Sequence, residues 1–438
     1  MLAAFRKHLS APGLLKTLRS CFQKVADHRP GKVEIALVDA LMSGLAVFGL
    51  KYPSLLKFDE ERQKESVRHN LSHLYGVERA PCDTQLREIL DPVDPRQLRP
   101  AYKALFAQLQ RGKGLAPYAY LEGYYLLSID GTGMFCSSTI SCPECCIKHA
   151  RSGEVSYYHQ LLGAVIVHPE QRVVIPLAPE PITRQDGASK NDCERNAAKR
   201  LLSALRREHP HLKLIAVEDG LASNGPHIQL LQELDMRFIL GVKPGDHQAL
   251  FAEVERREGL GHVARREVSD EPGVIHRFRF VNAVPLNQSH PELVVNFLEY
   301  WEVHEERVLH FSWITDFELS DDKLFAIMKG GRARWKIEHE TFNTLKNQGY
   351  SLEHNYGHGQ HHLATTFGLL MILAFLVDQI QELCCATFQA ARKARHSRTS
   401  LWQRMQSLFT GYYIESWRQF FEALIHGHTP SQLQPDTS

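Results

Sequence analysis

The stretch RWKIEHETFNTLK, residues 334–346, is the most informative segment of the chain. Its pattern predicts a helix, and at about 3.6 residues per turn Glu338 lies on the apolar face while Glu340 points the other way, toward Lys336. The residues that share the face of Glu338 are Arg334, Trp335, Phe342 and Leu345. A buried ionised carboxylate is costly unless it is paired, hydrogen-bonded or bound to a metal. The segment therefore predicts further charged groups that converge on Glu338.

Two aspartates upstream of this helix are the candidates for that convergence. The apolar, β-rich run YYLLSID ends at Asp130, the run KLIAVED ends at Asp219, and glycine follows each of them. Residues 213–242 have the pattern strand, helix, strand, which predicts a right-handed βαβ unit. Acids at strand ends lie where open α/β sheets bind ligands. The sequence therefore predicts a functional site at these strand ends.

The rest of the pattern predicts how the chain is organised. Residues 159–168 and 172–177 are predicted to form two strands of a hairpin, and residues 191–209 an amphipathic helix. The chain is predicted to contain four parts: a helical region at 1–118, an α/β region formed by 119–244 and 331–390, a β-rich insertion at 245–330, and a basic helical segment at 391–438.

Composition limits the class of protein. With 438 residues, 43% of them hydrophobic, the chain is long enough for several structural units. Its 51 Lys+Arg and 50 Asp+Glu give a net charge of +1, which excludes an extended coat for nucleic acid and leaves only local basic patches. The first 20 residues lack the pattern of a signal peptide, and the apolar run 367–377 is too short to span a bilayer. These features predict a cytoplasmic protein without membrane contact.

The order of the predicted elements resembles a known group of enzymes. The order resembles the layout of ribonuclease-H-like polynucleotidyl transferases. It consists of three strands, a helix, a strand, a helix, a strand, an insertion and a final helix. Asp130, Asp219 and Glu338 stand where that group has its three acids. Within the group, residues 124–383 are similar to bacterial insertion-sequence DDE transposases that have a β insertion before the glutamate and a Tyr-x2-Arg-x3-Glu-x6-Lys signature.

Part of that signature is present. Arg334 and Glu338 keep the Arg-x3-Glu spacing, but Gly331 stands where the signature tyrosine would be, and Lys346 is one residue beyond the lysine position, which Leu345 occupies. The resemblance implies a mixed α/β sheet of the ribonuclease-H-like class, flanked by helices, with an inserted β-rich subdomain and an all-helical, DNA-binding N-terminal domain.

The resemblance also implies a reaction. A DDE transposase binds terminal inverted repeats of double-stranded DNA, cleaves the element ends and joins their 3′-hydroxyls to target DNA, as a homodimer in the synaptic complex at the bacterial nucleoid. Asp130, Asp219 and Glu338 would be the catalytic residues and would bind two Mg²⁺ or Mn²⁺ ions, because phosphodiester cleavage needs an activated nucleophile and hard cations prefer carboxylate oxygens. Candidate DNA contacts are Arg334, Lys336, Lys346 and Trp301.

Each residue also has a simpler interpretation. Aspartate before glycine commonly caps a turn, Glu338 could be one half of an i,i+4 ion pair with Arg334, and Trp301 could pack in the core of the insertion. Two other functions stay open: a catalytically silent, domesticated DNA-binding protein with the same fold, and a host nuclease of the ribonuclease-H type that acts on RNA–DNA hybrids.

The nine cysteines are an odd number and do not have the spacing of a secreted disulfide framework. Several cysteines and histidines lie close together in sequence: Cys136, Cys142, Cys145, Cys146, His149 and His159. The Cys-x2-Cys pair Cys142/Cys145 suits a structural zinc. The nearby sequence contains no second ligand pair of the Cys-x2-Cys or His-x3-His kind. Reduced cysteines packed under the loop are therefore the favoured interpretation.

Overall fold

The computed structural model describes residues 8–184, 190–269, 273–427 and 433–436. Residues 11–111 contain six α-helices. Proline at the start of α1 and of α6 suits a first helical turn, where its missing N–H has no partner to lose. The helices are α1 (Ala11–Phe22), α2 (Leu37–Gly49), α3 (Leu55–Glu61), α4 (Glu65–Asn70), α5 (Asp83–Leu90) and α6 (Arg99–Arg111).

The middle of the chain alternates strands and helices. The strands are β1 (Tyr125–Ser137), β2 (Cys146–His149), β3 (Val155–His168), β4 (Gln171–Pro176), β5 (Glu180–Ile182), β6 (Leu214–Glu218), β7 (Arg237–Gly241), β8 (Ala264–Ser269), β9 (Ile275–Asn287), β10 (His290–Val303) and β11 (Val308–Thr315). The helices are α7 (Lys190–Glu208), α8 (Gly225–Glu233), α9 (Gln248–Gly259) and α10 (Leu324–Arg332).

These strands form one mixed sheet of eleven strands in the order β2-β3-β1-β6-β7-β11-β10-β9-β8, with β4 and β5 also paired to β3. Strand β1 runs antiparallel to β3 and parallel to β6, and β6 runs parallel to β7. The predicted βαβ unit is confirmed because α8 joins β6 to β7. The predicted hairpin is confirmed by the pairing of His168 with Gln171 at the β3–β4 turn.

One prediction about the sheet is wrong. Strand β1 does not end at Asp130: it continues to Ser137, because the long strand β3 offers backbone partners as far as Tyr157. Only its parallel pairing with β6 stops early, at Ser128 and Val217. The region predicted as a β-rich insertion contains β8, β9, β10 and β11 after the helix α9, and β11 pairs with β7, so that these strands extend the same sheet.

The C-terminal helices pack on the N-terminal ones. They are α11 (Asn343–Asn347), α12 (Leu363–Cys384), α13 (Ala386–Lys393), α14 (Arg398–Gly411) and α15 (Trp417–His426), followed by a short pairing of β12 (Tyr412–Tyr413) with β13 (Gln434–Pro435). The Asn70 side-chain amide donates to the carbonyls of Phe409 and Tyr412, and the Trp417 indole donates to that of Leu74. The two ends of the chain thus share one helical core.

Helix α12 is the centre of this core. It has 22 residues, twice the predicted apolar run, and lies against α2 on one side and β3 and β4 on another. Among the described residues it is a helix long and apolar enough to cross a membrane, but 94% of its apolar window is buried inside the protein. At Gly368 a side-chain Cβ would come within 2.7 Å of the Met134 sulfur, so glycine permits the close approach of α12 to β1.

The segment 334–346 is helical but irregular. A 3₁₀ turn at Ala333–Trp335 leads into a π-helical turn at Ile337–Phe342 and then into α11. The wheel prediction is confirmed for Phe342, which is buried, and is wrong for Trp335, which is 49% exposed. The wheel prediction is also wrong for the two acids, since the Glu338 side chain is 40% exposed, more than that of Glu340 at 27%. A π turn holds more residues than an α turn, so an even 100° spacing fails here.

Candidate active site

Arg334 connects two of the three predicted acids. Its Nη1 donates to Asp130 Oδ2 at 3.2 Å and to Glu338 Oε1 at 2.9 Å. The Ser128 hydroxyl on β1 donates to the Arg334 carbonyl at 2.9 Å and fixes the start of the helical segment over that strand. One guanidinium therefore serves two carboxylates, and the three side chains form a single charged cluster with an excess of negative charge.

A glycine on β3 sets how closely the helical segment approaches Asp130. Gly163 is the β3 residue opposite Asp130, and a Cβ built on it would lie 3.0 Å from two ring carbons of Phe342 and 3.4 Å from Ile337. Any side chain there would push the segment away from the sheet. The absence of a side chain at Gly163 therefore lets the segment that carries Glu338 pack beside Asp130.

The environment of Asp130 disfavours its charged form. Burial raises the pKa of Asp130 to about 7, and the neighbouring carboxyl of Glu338 adds to the rise, against the opposing effects of Arg334 and the Gly131 N–H. A carboxyl with this pKa is partly protonated at neutral pH. It would exchange its proton for another cation, so Asp130 is the group in this cluster best suited to take up added positive charge.

Replacing Asp130 with asparagine is expected to stabilise the protein at pH 8 in buffer without Mg²⁺ or Mn²⁺. An acid whose folded pKa is raised binds more protons folded than unfolded, so the stability of the wild type falls as pH rises from about 4 to 7. The asparagine side chain does not titrate, and the advantage of the variant, about 1–3 kcal/mol, should shrink as pH is lowered toward 4. Thermal unfolding of both proteins across this range is the measurement, and a lower melting temperature for Asp130→Asn at pH 8 would contradict it.

Asp219 lies at the same end of the neighbouring strand but is not joined to the cluster. The pairing of Ser128 with Val217 means that Asp130 and Asp219 each stand two residues beyond the last parallel pair. Asp219 is exposed, and its Oδ1 accepts the Leu221 N–H at 3.0 Å. Among the described residues, no group of three ligand atoms within 4.8 Å contains these acids. The structure brings Asp130 and Glu338 together and leaves Asp219 beside them.

Two further acids, which the sequence patterns did not single out, border the site. Glu218 is buried, and its carboxylate is 2.8 Å from Nε2 of His227 on α8, which ties β6 to the helix behind Asp219. Burial lowers the pKa of His227, but the Glu218 charge and hydrogen bond outweigh it and raise the pKa overall. Glu194 on α7 lies against Gly131, where a Cβ would be 3.0 Å from its Oε1. Such tertiary placement has no local sequence signal.

The two lysines that were predicted to contact DNA both have partners within the protein. Lys336 Nζ donates to the Gln171 carbonyl at 2.6 Å and so holds the β3–β4 turn. Lys346 Nζ pairs with Glu353 at 2.8 Å, with side chains 31% and 62% exposed. An exposed pair of this kind contributes little to stability. Lys346 is therefore the lysine of the two that could exchange its partner for a DNA phosphate at small cost.

Three tryptophans near the site have different environments. Trp301 is half-buried, and its ring stacks on His310 with centroids 5.0 Å apart. Trp313 is buried, and a Cβ at Gly331 would come within 2.4 Å of its Nε1. The indole thus fills the space beside residue 331, which accounts for the glycine at this position. Trp335 is the exposed one: it stacks on His339, and the Arg334 guanidinium lies 5.4 Å from its ring centre.

An open groove of about 690 Å³ lies on the outer strands of the sheet. Trp301 lines it together with a concentration of arginines on β8 and β9. The lining residues are Arg265, Arg266, Glu267, Arg277, Phe278, Arg279, Trp301, Val303 and Val308. Arg279 is the most neutralised of these arginines, since Glu258 and the buried Glu299 both pair with it. Arg265, Arg266 and Arg277 also have acidic partners, which are Glu258, Asp321 and Glu267. The groove therefore combines paired arginine side chains with an aromatic surface.

Two groups of residues are close enough to share a metal ion, among those that the structure describes. One contains Cys142, Cys145, His159 and His358, three of them buried, and lies where the loop after β1 meets the turn before α12. The other contains His69, His73 and Glu415 at the surface of the helical core.

No family model and no curated protein matches the sequence. Among solved structures, the chain is similar to the piggyBac transposase in a cryo-EM structure of its synaptic complex with hairpin DNA, at 11% identity and a TM-score of 0.42. The match covers 97% of this chain and 81% of that one. At this identity and TM-score the likeness establishes neither the fold nor the function of the chain.

Proposed function

We propose that the chain is a DNA transposase of the DDE type, which binds terminal inverted repeats, cleaves the element ends by metal-dependent hydrolysis and joins their 3′-hydroxyls to target DNA. One observation carries the proposal: Asp130 and Asp219 each stand two residues beyond the last pair of the parallel pairing between β1 and β6, and Glu338 meets Asp130 there through Arg334. The strand order β4-β3-β1-β6-β7, antiparallel for the first two pairings and parallel for the others, resembles that of a ribonuclease-H-like sheet.

The donor atoms at this place fit a hard divalent cation. The acids offer only carboxylate oxygens, which Mg²⁺ and Mn²⁺ prefer, and thiolates are absent from this cluster of described side chains. The raised pKa of Asp130 is the sign of a partly desolvated carboxylate with too little positive charge around it. Asp130, Asp219 and Glu338 would hold the ions. Two bound ions supply an activated nucleophile and neutralise charge on the attacking and leaving oxygens.

The other residues of the site prepare it for a phosphodiester. Arg334 holds the carboxylates of Asp130 and Glu338 toward each other and presents a planar donor surface that suits a phosphate. Lys346 would contact the DNA backbone. The π-helical turn accommodates one more residue than a regular helix does, so a lysine eight residues after Glu338, rather than seven, is consistent with the signature. The arginine groove with Trp301 would contact the flanking duplex of a dimeric complex.

Trp335 is proposed to stack on a DNA base near the cleaved bond. Its large exposed surface beside Arg334 has no role in core packing. Replacing Trp335 with alanine should weaken binding of element-end DNA about tenfold, because one base–aromatic stack contributes about 1–3 kcal/mol. Trp335→Phe should keep most of the affinity. Titration of labelled end DNA by fluorescence anisotropy measures both, and equal affinities for the alanine variant and the wild type would contradict the role.

The test of the function uses the full-length protein and a supercoiled plasmid that carries the two DNA ends flanking the gene. With Mg²⁺ we expect nicked and linear products whose cuts map to those ends, followed by joining to a second plasmid. A plasmid with scrambled ends is the control. Cleavage that ignores the ends and prefers an RNA–DNA hybrid would indicate a ribonuclease-H-type nuclease instead. Binding to the ends without any cleavage would indicate a silent DNA-binding protein, and either result overturns the proposal.

A further inference from the structure

Four side chains from three segments of the chain converge near the candidate active site. Cys142 and Cys145 lie in the loop between β1 and β2, His159 lies on β3, and His358 lies in the turn before α12. The two sulfurs are 3.6 Å apart. Nε2 of His159 is 3.3 Å from the Cys142 sulfur and 3.4 Å from the Cys145 sulfur, and Nδ1 of His358 is 3.5 Å from the Cys145 sulfur.

These four separations fit four of the six edges of a tetrahedron of the size that zinc requires. With Zn–S of about 2.3 Å and Zn–N of about 2.0–2.1 Å, tetrahedral coordination gives about 3.8 Å between two sulfurs and about 3.6 Å between sulfur and nitrogen. The observed values are slightly shorter in each case. All four ligand atoms lie within 4.8 Å of one another. A cluster of thiols packed only for their bulk has no reason to meet two imidazole nitrogens in this arrangement.

We propose that Cys142, Cys145, His159 and His358 bind one Zn²⁺. Four protein ligands of the Cys₂His₂ type leave no position for a substrate, which is the mark of a structural site. Cys145, His159 and His358 are 2%, 4% and 8% exposed, so the polar atoms are withdrawn from water and need a partner of their own. The second half that the sequence lacked near Cys142 comes from β3 and from a turn more than 200 residues away.

The site joins the two chain segments that carry Asp130 and Glu338. Cys142 lies in the loop after β1, the strand that carries Asp130, and His358 follows the helical segment of Glu338, so zinc would fix both segments against each other. The neighbourhood is already held by polar contacts: Glu144 pairs with His362 at 2.9 Å. The ion would have a positioning role, and its presence is independent of whether the chain cleaves DNA.

The nearby cysteines supply matched controls. Cys146 is buried next to Cys145, but its thiol donates to the Ile182 carbonyl at 3.6 Å and it is not part of the group. Cys136 is exposed on β1 and also lies outside it. Cys146→Ser and Cys136→Ser should therefore keep the metal, whereas Cys145→Ser and His358→Ala should lose it.

The first experiment measures zinc in full-length protein purified under reducing conditions, by elemental mass spectrometry. We expect one zinc per chain in the wild type and in the two control variants, and a loss of most of it in Cys145→Ser and His358→Ala. Wild-type protein without zinc, or a Cys145→Ser protein with its zinc intact, would overturn the assignment. An intact mass that shows a Cys142–Cys145 disulfide in place of the metal would overturn it too.

A second measurement keeps the inference testable if a variant fails to fold. Zinc is removed from the wild type with a chelator and Co²⁺ is titrated in, without DNA. We expect the intense visible absorption of tetrahedral Co²⁺ and a thiolate-to-cobalt charge-transfer band that saturates at one ion per chain and disappears when Zn²⁺ is added. Pale octahedral Co²⁺ without the charge-transfer band would overturn the site. A protein that shows this spectrum and does not cleave DNA would refute the proposed function alone.

Discussion

Glu338→Gln is expected to reduce Mg²⁺-dependent cleavage of element-end DNA by at least about 100-fold, since even residues that only support a metal ligand contribute about 10–100-fold. Glutamine keeps the length of the side chain and can still accept the hydrogen bond that Arg334 Nη1 donates at 2.9 Å. It lacks the negative charge that would hold a cation. The carboxylate is 40% exposed, so the fold should tolerate the change.

Glu340→Gln is the matched control because it makes the same chemical change, a carboxylate to an amide, in the same helical segment. The Glu340 carboxylate faces Arg172 at 3.6 Å, across the exposed side of the β3–β4 turn. Cleavage by this variant should stay within about twofold of the wild type, since an exposed ion pair contributes at most about 1 kcal/mol. End binding without metal, measured by mobility shift, should be equal in both variants. Full cleavage by Glu338→Gln, or an equal loss in Glu340→Gln, would remove Glu338 from the site.

The parts of this site that were predictable from sequence depend on local patterns. Apolar runs that end in acid and glycine located the ends of the parallel pairing of β1 and β6, because strand formation and burial leave a local record in the alternation and length of such runs. The sequence after Asp130 contains no local pattern that predicts where β1 ends. The end of β1 depends on β3, whose residues as far as Tyr157 pair with β1 across the sheet.

Other features depend on contacts that no local pattern contains. The exposure of Trp335 follows from the π-helical turn, which a wheel of even spacing cannot show. The role of Gly163 depends on the ring of Phe342 from another part of the chain, and that of Gly331 on the indole of Trp313. His358 meets Cys145 only because the turn before α12 folds back over β1 and β3. The types of these residues alone could not have predicted that they lie in contact.

Asp378→Ala is expected to destabilise the protein by about 3–5 kcal/mol, the cost of leaving one partner of a buried ion pair without its counter-charge. Lys51 Nζ is 2.6 Å from Asp378 Oδ2, and the two side chains are 2% and 11% exposed. The Tyr350 hydroxyl donates to the same oxygen at 2.5 Å, and the ammonium lies 4.2 Å and 4.3 Å from the ring centres of Tyr350 and Trp402. The pair thus joins the turn after α2 to α12, to α14 and to the segment that follows the candidate active site.

The pH dependence of this loss separates a buried charge from a simple cavity. Burial lowers the pKa of Lys51, and the charge of Asp378 opposes that effect. Without Asp378 the pKa of Lys51 should fall further, so the unfolded chain would bind more protons than the folded one and stability would rise with pH. Urea unfolding should therefore show a smaller loss for Asp378→Ala at pH 9 than at pH 6, and Lys51→Met with Asp378→Leu should recover most of the stability at both. A pH-independent loss that the double variant does not repair would mean that packing, and not charge, holds these helices together.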